Sequence, residues 1–352
     1  QWQKMKANPI FTALLLLAVL SVFFSCTHDA NPLPPAAGKY AHGVFVVNEG
    51  PFGGSGSITW HDPTTGETIQ DVFARENNSA VLGQFVQSLY FHNGKGYIVV
   101  NGANKVYVVD AETFKYQATI DGFALPRFFL PLDDETALVS QWGADGLSGS
   151  VARVDLKTNT ILGATPIGAG PEKMVRMPDA QILVANSGGF GTDSTVSVLN
   201  AQGTLELSRI LTKGKNPGSI ALQTVSGGQV LPYAHCRGTF LDNPPKGWVG
   251  PLDGTTGFDT APYGDDLVAA PGAQLLYFSA GGSIWKLEYP AGPVRLFDQA
   301  AYGLGVDPQS GNLYCADARD FASSGEIVVY TPAGQRITSF AAGIAPGEIV
   351  FK

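Results

Sequence analysis

Polar side chains recur at the ends of short apolar segments along this chain of 352 residues. A mostly apolar run precedes each of Asn48, Asn101, Gln141, Asn186 and Asp317, and Glu49 follows the first of them. Amide and carboxylate groups gathered in one place would bind a polar ligand through hydrogen bonds. A minority interpretation makes four of these six residues, all but Asn48 and Gln141, the ligands of a catalytic metal ion.

Aromatic and charged side chains follow these segments in longer, glycine-rich stretches that we expect to be loops. They are Phe52, Trp142, Phe190, Arg237, Arg319 and Asp320. Three other candidates, Gln87, Arg127 and Tyr302, lie near the starts of apolar segments. Binding residues often lie on loops that a rigid scaffold holds in place. Two plainer interpretations stay open: the polar residues only cap loop backbones, and the aromatic rings only wedge between neighbouring repeats.

Catalytic sequence motifs are absent from the chain. It has no His-Glu-x-x-His, no Gly-x-Ser-x-Gly and no phosphate-binding loop that ends in Gly-Lys-Ser/Thr. His235 and Cys236 are adjacent, but two residues are too few to indicate a metal site. We therefore predict no catalytic residue, no metal-ligating residue and no cofactor.

Composition limits both the fold and the partners. Charged residues make up only 15 % of the chain, whereas glycine and proline occur 43 and 23 times. Many glycines serve many turns, and 44 % apolar residues can form a large core, so a turn-rich all-β protein is favoured. The net charge of −8 repels a phosphate backbone, which argues against nucleic acid as a partner.

A repeat of about 45 residues organises the chain. Four prolines precede short apolar segments at intervals of 45, 46 and 45 residues: Pro126, Pro171, Pro217 and Pro262. Proline suits the first position of a strand, where its missing N–H breaks no ladder bond. Two further apolar segments follow in each repeat, and then a more polar segment such as residues 68–73. In four repeats a turn of the type Asp-x-x-Thr precedes that last segment, starting at Asp62, Asp110, Asp155 and Asp253.

Four short strands per repeat are typical of a β-propeller blade. Seven copies of the second segment occur, counting a degenerate copy over residues 230–235. We therefore predict an all-β fold, a seven-bladed β-propeller, over residues 44–352. The chain enters on a second-type strand at Val44 and ends on a first-type strand at Pro346. We expect the last strand to complete the first blade and so to close the ring without an open edge.

The two faces of this ring are expected to differ. The loops that join first to second and third to fourth strands are short and uniform. The opposite loops are long and irregular, and they carry the polar and aromatic candidates named above. We therefore predict a polar, aromatic-rimmed bowl around the axis on the long-loop face, suited to a sizeable polar ligand.

The first 43 residues have the layout of a lipoprotein leader and a linker. Lys4 and Lys6 precede an apolar run over residues 10–24, and Ser25 and Cys26 follow it. Such a basic segment, an apolar run shorter than a membrane span and a small residue are typical of a secretory signal. The cysteine resembles that of a bacterial lipobox. We predict a signal peptide over 1–25, lipidation at Cys26 and a flexible tether over 26–43.

Several segments resemble the YncE-like seven-bladed propeller lipoproteins of Bacteroidetes-type bacteria. They are Val44-Phe-Val-Val-Asn-Glu-Gly50, Tyr97-Ile-Val-Val-Asn101, Pro126-Arg127, Tyr302-Gly-Leu-Gly-Val306, Tyr314-Cys-Ala-Asp-Ala-Arg-Asp320 and Gly343-Ile-Ala-Pro-Gly347. The resemblance extends over about residues 44–351, and the fifth repeat, around 228–262, departs from it most.

Within that family the chain is similar to the BtuG-type lipoproteins, which bind cobalamin. The resemblance implies an outer-membrane protein at the cell surface, attached to the membrane through its lipid alone. It would capture cobalamin or a related corrinoid for a TonB-dependent transporter. Two alternatives stay open: a scaffold or adhesin that binds protein or glycan through the same face, and a metal-dependent lactonase.

Overall fold

Seven antiparallel four-stranded sheets form a ring in the computed structural model, which describes residues 38–264 and 266–352. The seven-bladed β-propeller predicted from the repeat is therefore confirmed. The first strand of each blade, here called the inner strand, contacts the inner strands of both neighbouring blades around the central axis.

Blade 1 combines both ends of the described chain. It contains β1 (Val44–Asn48), β2 (Ser57–His61) and β3 (Thr68–Ile69), with the C-terminal β28 (Pro346–Phe351) as its inner strand. A short helix, α1 (Val72–Glu76), follows β3. Among the residues that the structure describes, no helix has both the length and the apolar character that a membrane span requires.

The other six blades follow in chain order, each from its inner to its outer strand. Blades 2 and 3 are β4 (Val86–His92), β5 (Lys95–Val100), β6 (Lys105–Asp110), β7 (Tyr116–Asp121), β8 (Pro126–Pro131), β9 (Thr136–Gln141), β10 (Ser150–Asp155) and β11 (Thr160–Pro166). Blades 4 and 5 are β12 (Pro171–Arg176), β13 (Ile182–Asn186), β14 (Thr195–Leu199), β15 (Glu206–Leu211), β16 (Pro217–Thr224), β17 (Val230–Cys236), β18 (Gly247–Pro251) and β19 (Phe258–Thr260), with a 3-10 turn at Ser226–Gly228. Blades 6 and 7 are β20 (Leu267–Ala269), β21 (Leu276–Ala280), β22 (Ser283–Leu287), β23 (Val294–Asp298), β24 (Gly303–Val306), β25 (Leu313–Asp317), β26 (Ser324–Tyr330) and β27 (Arg336–Ile344).

The ring closes as the sequence predicts. In blade 1 the C-terminal β28 pairs antiparallel with β1, from Val44 opposite Phe351 to Asn48 opposite Pro346. The last strand thus completes the first blade, and the inner ring has no open edge at which another chain could add.

The packed unit begins before Val44, the predicted start of the propeller. Residues 38–43, assigned from sequence to the tether, are described, and Tyr40 is buried in the core of blade 1. Its hydroxyl donates a hydrogen bond of 2.7 Å to the carboxylate of Glu76 in α1. The predicted signal peptide and Cys26 lie outside the described residues.

The second strands are buried on both faces, as their near-continuous apolar runs predict. All five residues of β1 and all five of β13 are buried. Apolar clusters fill the wedges between blades. Between blades 1 and 2, for example, the rings of Phe45, Phe91 and Phe114 lie 4.8–6.5 Å apart. This sheet-on-sheet burial explains why so few residues are charged.

The Asp-x-x-Thr turns form largely as predicted. Between β6 and β7 the carboxylate of Asp110 accepts hydrogen bonds of 2.8 Å from the backbone N–H and the hydroxyl of Thr113. Equivalent turns occur at Asp62 and Asp155. At the fourth predicted turn the carboxylate of Asp253 bonds Thr255 instead of the next threonine.

Two predicted strands have different bounds in the structure. The fourth strand of blade 1, predicted over 68–73, shrinks to β3, because the carboxylate of Asp71 caps α1 by accepting the N–H of Ala74 at 3.2 Å. Pro262 does not open the inner strand of blade 6. Tyr263 takes a left-handed conformation there, with φ of 62°, and the strand begins later.

Candidate functional site

A bulge at the start of the inner strand directs side chains towards the axis. In blades 1 to 5 the pairing between inner and second strands shifts by one residue just after the inner strand begins. The residue before each of these strands is left-handed, with φ of 53–61°. Its carbonyl accepts the N–H that follows the second strand. Bulges re-aim nearby side chains, and here they turn the following residues towards the mouth of the axial channel: Gln87, Arg127, Phe128, Lys173, Gly218 and Gly347.

These residues line a narrow pit whose walls are charged. Its remaining walls are Glu49, Arg237, Asp266 and Tyr302, and its open volume is about 40 Å³. Glycine keeps the pit open: a Cβ at Gly218 would lie 2.8 Å from Nε of Arg237. The pit has room for one small polar group, so a larger ligand would rest mainly on the surrounding face.

Arg127 is oriented by partners on two sides. Its Nε and Nη2 donate to the carboxylate of Glu172 at 3.0 and 3.1 Å, a bidentate geometry that fixes the guanidinium plane. The guanidinium carbon lies 4.4 Å from the ring centroid of Trp142. Glu172 is fully buried and also accepts the hydroxyl of Ser187 at 3.2 Å. The cation is therefore held in place by the protein itself.

A second ion pair crosses the channel. Lys173 of blade 4 bonds the carboxylate of Asp266 at blade 6, which also accepts the N–H of Leu304 at 3.0 Å. Burial alone would lower the pKa of Lys173, but the carboxylates of Asp266 and Glu348 raise it above its usual value. Burial raises the pKa of Glu348 to about 7, although Lys173 and the N–H of Leu89 favour the charged form.

Three further side chains complete the pit. The hydroxyl of Tyr302 donates to Glu49 at 2.9 Å, which joins blade 7 to blade 1 across the mouth. Gln87 lines the pit from blade 2. None of the residues 38–264 and 266–352 hydrogen-bonds its side-chain amide, so this donor and acceptor are available to a ligand.

Four of the predicted polar strand ends lie beside the pit in the sheets rather than in its wall. They are Asn48, Asn101, Gln141 and Asn186, and all four are buried. The amide of Asn186 donates to the hydroxyls of Thr195 and Ser197, both at 2.9 Å. The amide of Asn186 thus ties the end of its strand to the neighbouring β14.

The other predicted residues divide between the loop surface and a separate cleft. The side chain of Phe52 is 94 % exposed, and Phe190 is also exposed and meets Trp142 edge to face at 5.6 Å. Asp320 caps its own loop by accepting two backbone N–H groups. Asp317 and Arg319 line a cleft between blades 6 and 7. Arg237 and Tyr302 belong to the pit.

Four charged residues around the pit are absent from the sequence prediction: Glu172, Lys173, Asp266 and Glu348. Three of them carried a signal. They follow Pro171 or Pro346 by one or two positions, the offsets at which Arg127 and Phe128 follow Pro126. Alignment of the repeats on these prolines would have found them. Asp266 had no such signal, because the proline of its repeat does not open the strand.

The described residues contain no group of three or more His, Cys, Asp or Glu side chains that could hold a metal ion. His235 and Cys236 are buried. Burial and the charge of Arg237 lower the pKa of His235 to about 4, and burial raises the pKa of the Cys236 thiol to about 12. Two residues of the lactonase interpretation, Asn101 and Asn186, donate through their side-chain NH2 groups to the carbonyl of Pro126 and the hydroxyl of Thr195.

Residues 42–226, more than half of the chain, match the family described as "Domain of unknown function (DUF5074)". No curated protein matches. Three similar solved structures are a quinonprotein alcohol dehydrogenase-like protein from Bacteroides thetaiotaomicron VPI-5482 (18 % identity, TM-score 0.62, 89 % of this chain and 78 % of that one), a functionally unknown protein from Desulfotomaculum acetoxidans DSM 771 (13 %, 0.63, 88 % and 98 %) and a candidate 6-phosphogluconolactonase from Bacteroides fragilis NCTC 9343 (12 %, 0.61, 88 % and 98 %). At these identities the likeness concerns the fold alone.

Proposed function

We propose that this chain, which belongs to the DUF5074 domain family, is a binding protein. Its ligand would be held at the mouth of the axial channel. One observation carries this proposal. Five blades repeat the same bulge, and through it charged and amide side chains from separate blades converge on one pit.

Folding alone gives little reason for these charges. A buried ion pair recovers through its own attraction little more than the solvation that it loses, and an apolar replacement is often as stable. Yet Glu172 is fully buried opposite Arg127, and Lys173 reaches across the channel to Asp266. We infer that these groups serve recognition, because an oriented polar site suits a ligand better than it suits a core.

We further propose that the ligand is cobalamin or a related corrinoid. The resemblance to the BtuG-type lipoproteins supports this choice, and so does the chemistry of the face. A corrinoid is a broad ring with amide side chains at its edge, and each amide both donates and accepts hydrogen bonds. The pit offers matching groups in Gln87, Glu49 and Arg127, while Trp142 and Phe190 offer aromatic surface beside it.

The cellular setting is also a proposal. We propose that a lipid on Cys26 anchors the protein to the outer membrane, at the cell surface, and that the ligand passes to a TonB-dependent transporter. The lipobox-like sequence and the family resemblance support this setting. A Cys26→Ala variant should leave the membrane fraction of the cells. Unchanged membrane retention would refute the lipid anchor.

The ligand is tested by calorimetric titration of the purified protein with cyanocobalamin. We expect binding, and we expect the Gln87→Ala variant and the double variant Arg127→Ala/Glu172→Ala to weaken it at least tenfold. The double variant removes a complete ion pair, so no buried charge is left without a partner. Its matched control is Glu135→Ala/Lys157→Ala, an exposed ion pair among the short turns, which should bind like the wild type.

Each other outcome decides against part of the proposal. Absence of heat and of a spectral change at micromolar protein refutes the corrinoid and favours the scaffold or adhesin. Equal binding by both double variants places the ligand away from the pit. Lactone hydrolysis that a chelator abolishes identifies an enzyme instead.

A further inference from the structure

A second cleft opens on the long-loop face between blades 6 and 7. Its volume is about 200 Å³, and it adjoins the axial pit, with which it shares Tyr302 among the described residues. Its floor includes the two-residue turn between β21 and β22, Gly281–Gly282, in which both residues are left-handed. A Cβ at Gly282 would meet nothing within 4 Å, so this side of the cleft is open.

Two aromatic rings form a corner in this cleft. Tyr302 and Phe321 meet edge to face, with centroids 5.0 Å apart and planes at 83°. Phe321 and Tyr263, a further aromatic residue of the wall, are 51 % and 53 % exposed. Half of each of these rings therefore remains in contact with solvent rather than with the core.

Three wall residues adopt a backbone conformation that disfavours them. Tyr263, Arg319 and Phe321 have φ of 62°, 52° and 59°, where asparagine and glycine are the favoured residues. The left-handed residues before the inner strands of blades 1 to 5 recur as part of the blade, but these three lie outside that series. Bulky residues that are held in a strained conformation without full burial often mark functional sites.

The described wall of the cleft also carries a carboxylate, Asp317, and a guanidinium, Arg319. Asp317 accepts the N–H of Arg319 through one oxygen at 2.8 Å, and no described residue bonds the other oxygen. The guanidinium of Arg319 lies 3.6 Å from Glu326, a loose contact that leaves most of its donors available. An acceptor and a donor thus stand beside the aromatic corner.

We propose that this cleft binds a saturated ring that bears hydroxyl groups, that is, one sugar unit of a glycan or glycoconjugate. The C–H face of such a ring packs against an aromatic ring, and its adjacent hydroxyls suit a carboxylate and a guanidinium side by side. A flat heteroaromatic ring could stack on one of these perpendicular walls, but it has no adjacent hydroxyls for the carboxylate and the guanidinium. The assignment does not depend on the ligand of the axial pit.

The test uses saturation-transfer NMR on the purified protein with the methyl glycosides of glucose, galactose, mannose and N-acetylglucosamine. Indole and cyclohexanol serve as flat and hydroxyl-poor rings. We expect at least one glycoside to bind at millimolar concentration, with the strongest transfer to the protons of one ring face. Indole and cyclohexanol should bind more weakly than that glycoside.

Two variants locate the binding. Ala300→Trp fills the cleft from an exposed position in its wall and should abolish the signal. Phe321→Asn removes the ring and should weaken binding about tenfold. Its melting temperature should equal or exceed that of the wild type, because asparagine accepts the left-handed backbone. The control Phe240→Asn removes a ring that is 76 % exposed elsewhere on the same face, and it should leave binding unchanged.

Several results would overturn the proposal. They are the absence of transfer to all four glycosides, stronger binding of indole, or equal binding by the Ala300→Trp variant. A lower melting temperature of Phe321→Asn together with unchanged binding would show that the ring is only structural. Loss of sugar binding in Arg127→Ala/Glu172→Ala, with binding retained in Ala300→Trp, would place the sugar in the axial pit.

Discussion

Removal of one carboxylate from the channel should change how the stability of the protein depends on pH. Burial raises the pKa of Glu348 to about 7 in the folded protein, against an ordinary value of 4.5. Between these values the folded state binds the proton and the unfolded state releases it, so stability falls as the pH rises. From pH 5 to pH 8 the loss is about 2–3 kcal/mol, an upper bound because the channel is open to water.

A Glu348→Gln variant should lack this loss, because glutamine stays neutral and can still accept the N–H of Leu89. The difference in the free energy of unfolding between the variant and the wild type should therefore be about 2–3 kcal/mol larger at pH 8 than at pH 5, in favour of the variant. In a domain of this size that gain corresponds to about 3–5 °C in melting temperature.

Urea denaturation of both proteins at pH 5, 6, 7 and 8 measures the difference. The matched control is Glu135→Gln, an exposed carboxylate paired with Lys157 on the opposite face. Parallel stability curves for wild type and Glu348→Gln over this range would refute the reasoning. They would mean that the carboxylate is already ionised at pH 5, despite its position between the blades.

Three further predictions concern the frame, and urea denaturation tests each. The pKa of His235 is lowered to about 4 from 6.5, so the unfolded state binds a proton more readily than the folded state as the pH falls. The free energy of unfolding should therefore decrease by about 3 kcal/mol between pH 7 and pH 4, and His235→Phe should remove this contribution. Lys352→Met should cost about 1–3 kcal/mol, because its ammonium bonds the carbonyls of Tyr40 and Ala111 at 2.9 and 2.6 Å and so ties the C-terminus to the first two blades. Asp110→Ala should lower the free energy of unfolding by about 1–2 kcal/mol, because it removes the hydrogen bonds from the N–H and the hydroxyl of Thr113. Asp179→Ala removes one hydrogen bond, from the N–H of Gln181, and should lower it less.

The ring was predictable because its signal is local. An apolar run that ends in a polar residue is set by neighbours in sequence, and seven such runs are visible without knowledge of their partners. Closure was predictable for the same reason, since β1 lacks a preceding first-type strand and β28 supplies it. The short β3 was not, because the capping of α1 by Asp71 competes with continued strand pairing.

The site was predictable only in part, because a bulge sets its side-chain directions. Arg127 and Gln87 were found from their place after the strand start, and they do line the pit. Asn186 was placed at the mouth from its position at a strand end, yet its amide is turned into the sheet towards Thr195 and Ser197. The direction of a side chain at a strand end depends on the register with the next strand, which the sequence of one strand does not contain.

Regular and irregular blades contribute different parts of the long-loop face. The inner strands of blades 1 to 5 have six to eight residues and carry the bulge, and they supply six of the ten described residues that line the pit. Those of blades 6 and 7, β20 and β24, have only three and four residues. The cleft opens beside these two short strands, where Tyr263 and Tyr302 line its wall. A cleft that arose only because two strands are short would be expected to have ordinary turn residues in its wall. The left-handed Tyr263 and Phe321 are poor turn residues, and this favours selection for a ligand over a gap in the ring.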